Sequence, residues 1–326
     1  MADAAFWRGK RVLVTGASGL LGSWMVSRLL EFGAEVVVLL RDLVPTSWLI
    51  LSGNIHRVTV VRGVLEDYFL LARILNEYEI DSIFHLAAQA IVRVANRSPL
   101  STFESNIKGT WCLLEAVRVE RGAARVVVAS SDKAYGSQTV LPYTEEAPLL
   151  GGHPYDTSKA CADLLAQSYA RTYGLPIAIT RCGNLFGGGD FNFDRLIPGT
   201  IRSLLQNEAP VIRSDGTYVR DYFYVKDAVD GYLLLAEHLE DITFHGSAFN
   251  FSAEQPLTVQ AVVELLADLL QLRHEPIVVN QAQGEIHTQH LSSRKARERL
   301  QWFPKYPLRE ALRETIEWYK IYLPRP

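Results

Sequence analysis

The chain has 326 residues, 48% of them hydrophobic and 21% charged, with a net charge of −3. It is long enough to bury a full core, in one large domain or two closely joined ones. The charge balance leaves no electrostatic footprint for nucleic acid, and the longest apolar runs, such as residues 36–40, are too short to span a bilayer. Cys112, Cys161 and Cys182 are odd in number and lack a CxxC spacing, which argues against a disulfide framework or a cysteine metal site. No metal is expected. Residues 1–10 carry no leader-like signature, and a cytoplasmic location is the expectation.

In chain order, residues 11–15 (Arg-Val-Leu-Val-Thr) read as a buried strand, and 19–32 as a helix ending at Gly33. Strands follow at 35–40 and 57–61, then a helix capped by Asp67 and running to about Tyr78. Residues 82–86 are the next strand, 101–120 a long helix, 125–129 a strand, 155–173 a helix and 176–180 a strand. Short apolar runs alternating with helices predict an α/β fold: a doubly wound parallel sheet of the Rossmann type. Beyond about residue 183 the rhythm breaks at Gly187-Gly188-Gly189, which predicts a smaller, mixed α/β region. The expected division is 1–183 plus about 222–245 for the first domain, and 184–221 with 246–326 for a substrate-binding second one. The last helix is expected at 308–322.

The segment Thr15-Gly-Ala-Ser-Gly-Leu-Leu-Gly22 follows a strand and opens a helix. Gly16, Gly19 and Gly22 allow a tight turn, close backbone approach to a pyrophosphate, and packing of helix on sheet. The helix N-terminus then offers free N–H groups and a positive dipole end. A dinucleotide is therefore expected here, with Ser18, Leu20 and Leu21 among its neighbours; the plainer alternative is a merely tight strand-to-helix turn. The second strand ends Leu39-Leu40-Arg41-Asp42. Asp42 suits the ribose hydroxyls of NAD, and Arg41 would suit the 2′-phosphate of NADP. NAD is the expectation, with NADP open.

Tyr155 and Lys159 are four residues apart, on one face of a helix. A tyrosine acts as a base only if its pKa falls well below about 10, and a nearby ammonium favours the phenolate. Ser130 and Ser131 follow the strand ending at Ala129, so these hydroxyls, the phenol and the ammonium fall at carboxyl ends of strands, where open α/β sheets bind ligands.

Together with 85–89 (His-Leu-Ala-Ala-Gln), 106–110 (Asn-Ile-Lys-Gly-Thr), 130–136, 181–184 (Arg-Cys-Gly-Asn) and 220–225 (Arg-Asp-Tyr-Phe-Tyr-Val), these segments make the chain resemble the extended short-chain dehydrogenase/reductases, the NAD-dependent epimerase/dehydratase family, over nearly its whole length. Phe6-Trp-Arg-Gly-Lys-Arg-Val12, Ser131-Asp-Lys133 and Gly187-Gly-Gly-Asp190 followed by Asp194-Arg-Leu-Ile-Pro198 are similar to the CDP-glucose 4,6-dehydratase family within it. The resemblance implies a nucleotide-sugar substrate. It implies that Leu65, Leu86, Ala87 and Ala88 border the cofactor, and that Gln89, Asn184, Arg195 and Arg220 bind substrate, the arginines near its diphosphate. It also implies a homodimer through the helices at 101–120 and 155–173. The glycine loop and residues 216–222 depart from the dehydratase pattern toward the epimerases, which leaves the substrate open.

Both candidate reactions begin with Tyr155 taking the proton of the sugar C4 hydroxyl, with Ser131 bonded to the same oxygen. An epimerase then needs no further acid or base, whereas a 4,6-dehydratase must remove the C5 proton and expel the C6 hydroxyl. Asp132 as the acid and Lys133 as an aid to proton removal would serve that task. The plainer alternative has Asp132 capping a turn and Lys133 in solvent. His85 is expected to be structural and Asn106 to tie backbone, while Glu145, Glu146 and Asp163 read as solvated charges. A nucleotide-sugar 4-epimerase and a non-catalytic dinucleotide-binding regulator remain the alternatives.

Overall fold

A computed structural model describes residues 2–120, 124–272, 274–281 and 286–323. In chain order the strands are β1 (Arg11–Thr15), β2 (Glu35–Leu40), β3 (Thr59–Arg62), β4 (Ser82–His85), β5 (Arg125–Ala129), β6 (Ile177–Cys182), β7 (Asn184–Phe186), β8 (Val211–Ile212), β9 (Val219–Tyr224), β10 (Ala248–Phe251), β11 (Pro256–Thr258), β12 (Ile277–Val278) and β13 (Thr288–Gln289). Side chains alternate across a strand, and β1 shows the consequence. Val12 and Val14 pack under the Leu20–Glu31 and Val225–Glu237 helices. Leu13 packs on the opposite face under Tyr68–Glu77, Gly109–Glu120 and Pro154–Tyr173. Such a strand, apolar on both sides, can sit only in a sheet covered on both faces.

Seven strands form that sheet in the order β10-β6-β5-β4-β1-β2-β3, every neighbour parallel. The chain winds outward in both directions from β1, so the reversal of strand order falls between β1 and β4. The crevice at their carboxyl ends is where such sheets take ligands. The expected doubly wound fold is therefore present, with one shift. Residues 248–251, assigned from the sequence to the second domain, hydrogen bond along β6 as the sheet's edge strand.

Two further elements differ in detail. The helix expected over 101–120 is two α-helical segments, Pro99–Phe103 and Gly109–Glu120, joined by a π-helical turn at Glu104–Lys108. Gly109 sits where a Cβ would come within 2.7 Å of the Leu65 side chain, so the helix passes close under the β3 loop there. The strand expected at 57–61 begins later, because Asn54–Arg57 is a 3₁₀ turn.

The smaller region is organised by β9. It pairs with β7 and β13 in parallel and with β11 antiparallel, while β8 and β12 pair separately. The Leu308–Tyr322 helix closes the chain and buries Trp318 and Tyr319 against this region. Among the described residues no helix is long and apolar enough to cross a membrane.

Candidate active site

The glycine loop lies at the carboxyl end of β1. Gly16 has φ +73°, and a Cβ there would come within 2.6 Å of the Ala87 backbone nitrogen. A Cβ on Gly22 would come within 2.1 Å of the Gly16 carbonyl oxygen. Gly19 is the N-cap of the Leu20–Glu31 helix and supplies no side-chain cap, so the first-turn N–H groups are left for an anion. These features fit a dinucleotide pyrophosphate: two glycines without which the loop cannot close, and an uncapped helix start. Ser18, Leu20 and Leu21 fall in the same turn. Leu86, Ala87 and Ala88 follow β4 opposite it, and Leu65 lies beyond β3, buried against Gly109. Arg41 and Asp42 stand exposed beyond the end of β2, paired with each other at 2.6 Å. That pairing engages the cation that would suit a 2′-phosphate.

Behind the loop runs a buried polar chain. His85 bridges Thr15 Oγ1 at 2.9 Å and Thr110 Oγ1 at 3.0 Å. Burial, with Lys159 nearby, lowers its pKa to about 3, so it is a neutral bridge rather than a proton carrier. Thr15 Oγ1 in turn accepts from the Leu86 and Ala87 N–H groups. Asn106, in the π turn, accepts from the Gln89 N–H at 2.7 Å and donates to Ser158 Oγ at 2.9 Å. Ser158 Oγ donates to the Tyr155 carbonyl. The π turn thereby ties the Gln89 loop to the helix that carries Tyr155.

That helix begins with Pro154 in its first turn and ends at Gly174 with φ +66°, the usual pre-set start and left-handed stop. Tyr155 and Lys159 share its buried face. Burial pushes the Tyr155 phenol up to about 12, with Asp132 adding to the rise and the Ser131 hydroxyl and Arg195 pulling down. Lys159 donates to the Ala129 carbonyl at 2.7 Å. Burial lowers its pKa to about 8, and Asp163 opposes the fall. The phenolate a base requires therefore depends on positive charge brought to this pocket.

Asp163 is not the solvated charge expected from the sequence. It is fully buried and forms a two-pronged pair with Arg181 of β6, at 2.8 and 3.0 Å. Arg181 also donates to the Tyr135 hydroxyl, which bonds Asn250 of β10. Glu145 is likewise engaged: its carboxylate accepts from the Asn250 N–H at 2.7 Å, and burial raises its pKa. Each partner comes from a sheet strand distant in sequence, β6 for Asp163 and β10 for Glu145, so neither could be read from local spacing.

Ser131 caps the Asp132–Tyr135 3₁₀ turn. Its hydroxyl accepts from the Lys133 N–H at 3.2 Å and donates to Asp132 Oδ1 at 3.0 Å. Asp132 is 4% exposed. The Lys133 ammonium is turned inward, 3.5 Å from Gln289 Oε1, and Gln289 Nε2 donates to the Asp132 carbonyl at 2.8 Å. Nothing in the sequence pointed to Gln289. Of the residues expected near substrate, Arg195 pairs with buried Asp190 at 2.9 Å and acts on Tyr155. Arg220, 8% exposed, donates to the Val219 and His287 carbonyls. Asn184 opens β7, one strand from β9. Among the described residues no group of three or more His, Cys, Asp or Glu side chains could hold a metal.

Residues 12–250 match the NAD dependent epimerase/dehydratase family. The chain is 33% identical to a CDP-glucose 4,6-dehydratase from Salmonella typhimurium, over 99% of this chain and 94% of the relative. It is 31% identical to a dTDP-glucose 4,6-dehydratase from Streptomyces antibioticus, over 95% and 92%. Among solved structures it is similar to a UDP-glucose 4-epimerase with UDP-glucose from Thermotoga maritima (TM-score 0.88, 30% identity, 96% and 100% covered). It is also similar to a dTDP-glucose 4,6-dehydratase from Streptomyces venezuelae with NAD and TYD bound (TM-score 0.86, 31% identity, 95% and 97% covered). A glycine cradle at the sheet's reversal point, a serine, tyrosine and lysine beyond it, and these likenesses agree: the chain belongs to the NAD dependent epimerase/dehydratase family of enzymes.

Proposed function

We propose that this chain is an NAD-dependent nucleotide-sugar 4,6-dehydratase acting on a CDP-glucose-like substrate. The observation that carries this reading is the Asp132–Lys133 turn. A buried carboxylate and an inward-turned ammonium follow Ser131 directly, and the carboxylate's charge is felt at Tyr155. An enzyme that only inverts C4 has no use for this second acid and base.

The cradle at Gly16–Gly22, with Leu65, Leu86, Ala87, Ala88 and Asp42, would hold NAD, which supplies the hydride acceptor and later donor for the sugar. Arg195 and Arg220 hold the diphosphate as planar forks, with Asn184 and Gln89 lining the sugar. Tyr155 removes the C4 hydroxyl proton, Ser131 steadies the same oxygen, and Lys159 offsets the phenolate charge. The C4 ketone acidifies the C5 hydrogen. A proton passed from the Lys133 ammonium to the Asp132 carboxylate readies the pair: the Lys133 amine takes the C5 hydrogen as a proton, and the Asp132 carboxyl gives its proton to the C6 hydroxyl as it leaves as water. Hydride lost from C4 is regained at C6 as Lys133 returns a proton to C5, so the sugar loses one water with no net change of oxidation state. Asp132→Asn is expected to cut water release by about 10²–10⁴-fold while NAD binding is retained. Unchanged turnover in that variant would contradict the reading.

A 4-epimerase is the second reading, favoured by the likeness to the Thermotoga maritima enzyme and by the same Ser131, Tyr155 and Lys159. Its product would keep the mass of the substrate. A homodimer is supported by the exposed apolar side chains Leu100 (74%), Trp111 (43%) and Leu164 (54%) on the outer faces of the 99–120 and 154–173 helices. The unbridged cysteines suit a cytoplasmic location.

A further inference from the structure

Gln289 is fully buried, 1% exposed, on a strand far from the catalytic helix in sequence. Its amide meets two groups of the Asp132–Lys133 turn at once. Nε2 donates to the Asp132 carbonyl at 2.8 Å, and Oε1 faces the Lys133 ammonium at 3.5 Å. An amide suits this place because it carries both a donor and an acceptor. Lys133 also acts on Asp156 of the catalytic helix, whose pKa burial raises and Lys133 holds down. Ser131 therefore fastens the turn from the sheet side, and Gln289 fastens it from the smaller region.

The strand that carries Gln289 is itself tied to the expected phosphate site. β13 runs parallel to β9, with Gln289 opposite Arg220 in the ladder, and the Arg220 guanidinium donates to the carbonyl of His287, two residues before Gln289. On its other side the same segment holds the loop beyond the turn: the Tyr143 N–H donates to the His290 carbonyl, and the Ser292 N–H to that of Tyr143. One segment thus touches the diphosphate arginine and the elimination turn.

We propose that Gln289 is a positioning residue for the elimination step: it sets Asp132 and Lys133 at the sugar C5–C6 bond and has no part in oxidation at C4. This rests on the dehydratase reading above. Tyr155 and Lys159 are positioned by the 154–173 helix and by β5, neither of which Gln289 touches through these bonds, and Ser131 reaches the turn by its own bonds to Asp132 and the Lys133 N–H. Removing the amide should loosen the second half of the reaction and leave the first half intact.

The test is single-turnover kinetics of the full-length protein with NAD and CDP-glucose, following water loss by mass spectrometry and reduced nicotinamide by absorbance. Gln289→Met keeps the length and approximate volume but removes both polar atoms. It should slow water loss by about tenfold to a hundredfold, the worth of one or two hydrogen bonds involving a charged group. The oxidation rate and the KM for the sugar should stay unchanged, so reduced nicotinamide accumulates. Gln289→Glu, which keeps the acceptor toward Lys133 and loses the donor toward the Asp132 carbonyl, should fall between the two. It also carries the test if the methionine variant fails to fold. Equal loss of oxidation and elimination, or wild-type elimination in both variants, overturns the proposal while the dehydratase reading stands. Wild-type protein that releases no water from any nucleotide sugar removes that reading and the proposal with it.

Discussion

The two halves of the candidate site are built in opposite ways. Tyr155 and Lys159 belong to one helix, spaced by a single turn, with Lys159 anchored on the Ala129 carbonyl of the adjoining strand. The Asp132–Lys133 turn is assembled from afar, with Ser131 on one side and Gln289 of β13 on the other. A helix face holds its geometry by its own hydrogen bonds. A short 3₁₀ turn does not, since its bonding geometry is poorer and its length small, so its acid and base depend on what packs against them. On the function proposed, oxidation is thereby assigned to the stiff core of the fold, and elimination to the contact between its two regions.

The largest effect should come from the helix half. Tyr155→Phe is expected to lower turnover by about 10²–10⁴-fold and to abolish oxidation and water loss together, as seen by nicotinamide absorbance and product mass. Residual oxidation at the wild-type rate would remove Tyr155 from its role and collapse the contrast with the turn. Next comes Asp163→Asn, which strands the buried Arg181 guanidinium and should cost about 3–5 kcal/mol of stability, measured by denaturant unfolding. The same variant should move the alkaline limb of the activity profile to lower pH. The Asp163 carboxylate raises the Lys159 pKa, which burial has brought to about 8, so without it the ammonium is lost earlier as pH rises. A limb that stays in place would show that Asp163 only braces the fold.

Ser131→Ala sits at the junction of the two halves and should cost about tenfold in turnover. Because Ser131 both faces Tyr155 and fixes Asp132, oxidation and elimination should slow together, unlike the Gln289 variants. The smallest effect concerns Asp221, which accepts from the Ser252 hydroxyl and whose pKa burial raises to about 6, with Asp132 adding to the rise. Since the folded value exceeds the unfolded one, its contribution is fully present below about pH 4 and is lost as pH rises through about 6. Asp221→Asn should therefore flatten the fall in stability over that window. A variant with the same pH dependence as the parent would place the burial cost elsewhere.

What was legible in the sequence follows the same divide. The β1 strand, the glycine loop and the Tyr155/Lys159 face are each set by residues within a few positions of one another, so spacing alone exposes them. Asp163 lies one turn beyond Lys159, yet its local spacing suggests only a surface charge, because Arg181 reaches it only once β6 is laid beside the helix. The segment 248–251 is too short to reveal by period which sheet it joins, and its pairing with β6 is a tertiary choice. Gln289 carried no local signal at all, since β13 is only two residues long and its place comes from β9. The inward turn of Lys133 was likewise open, because its partner arrives from 156 residues away.

Whether oxidation at C4 is one step of an elimination is decided by incubating the protein with NAD and a panel of nucleotide sugars that includes CDP-glucose, and weighing the products by mass spectrometry. The expected result is a CDP-sugar product lighter by one water, with no net accumulation of reduced nicotinamide. A product of unchanged mass, with the C4 configuration inverted, would contradict it.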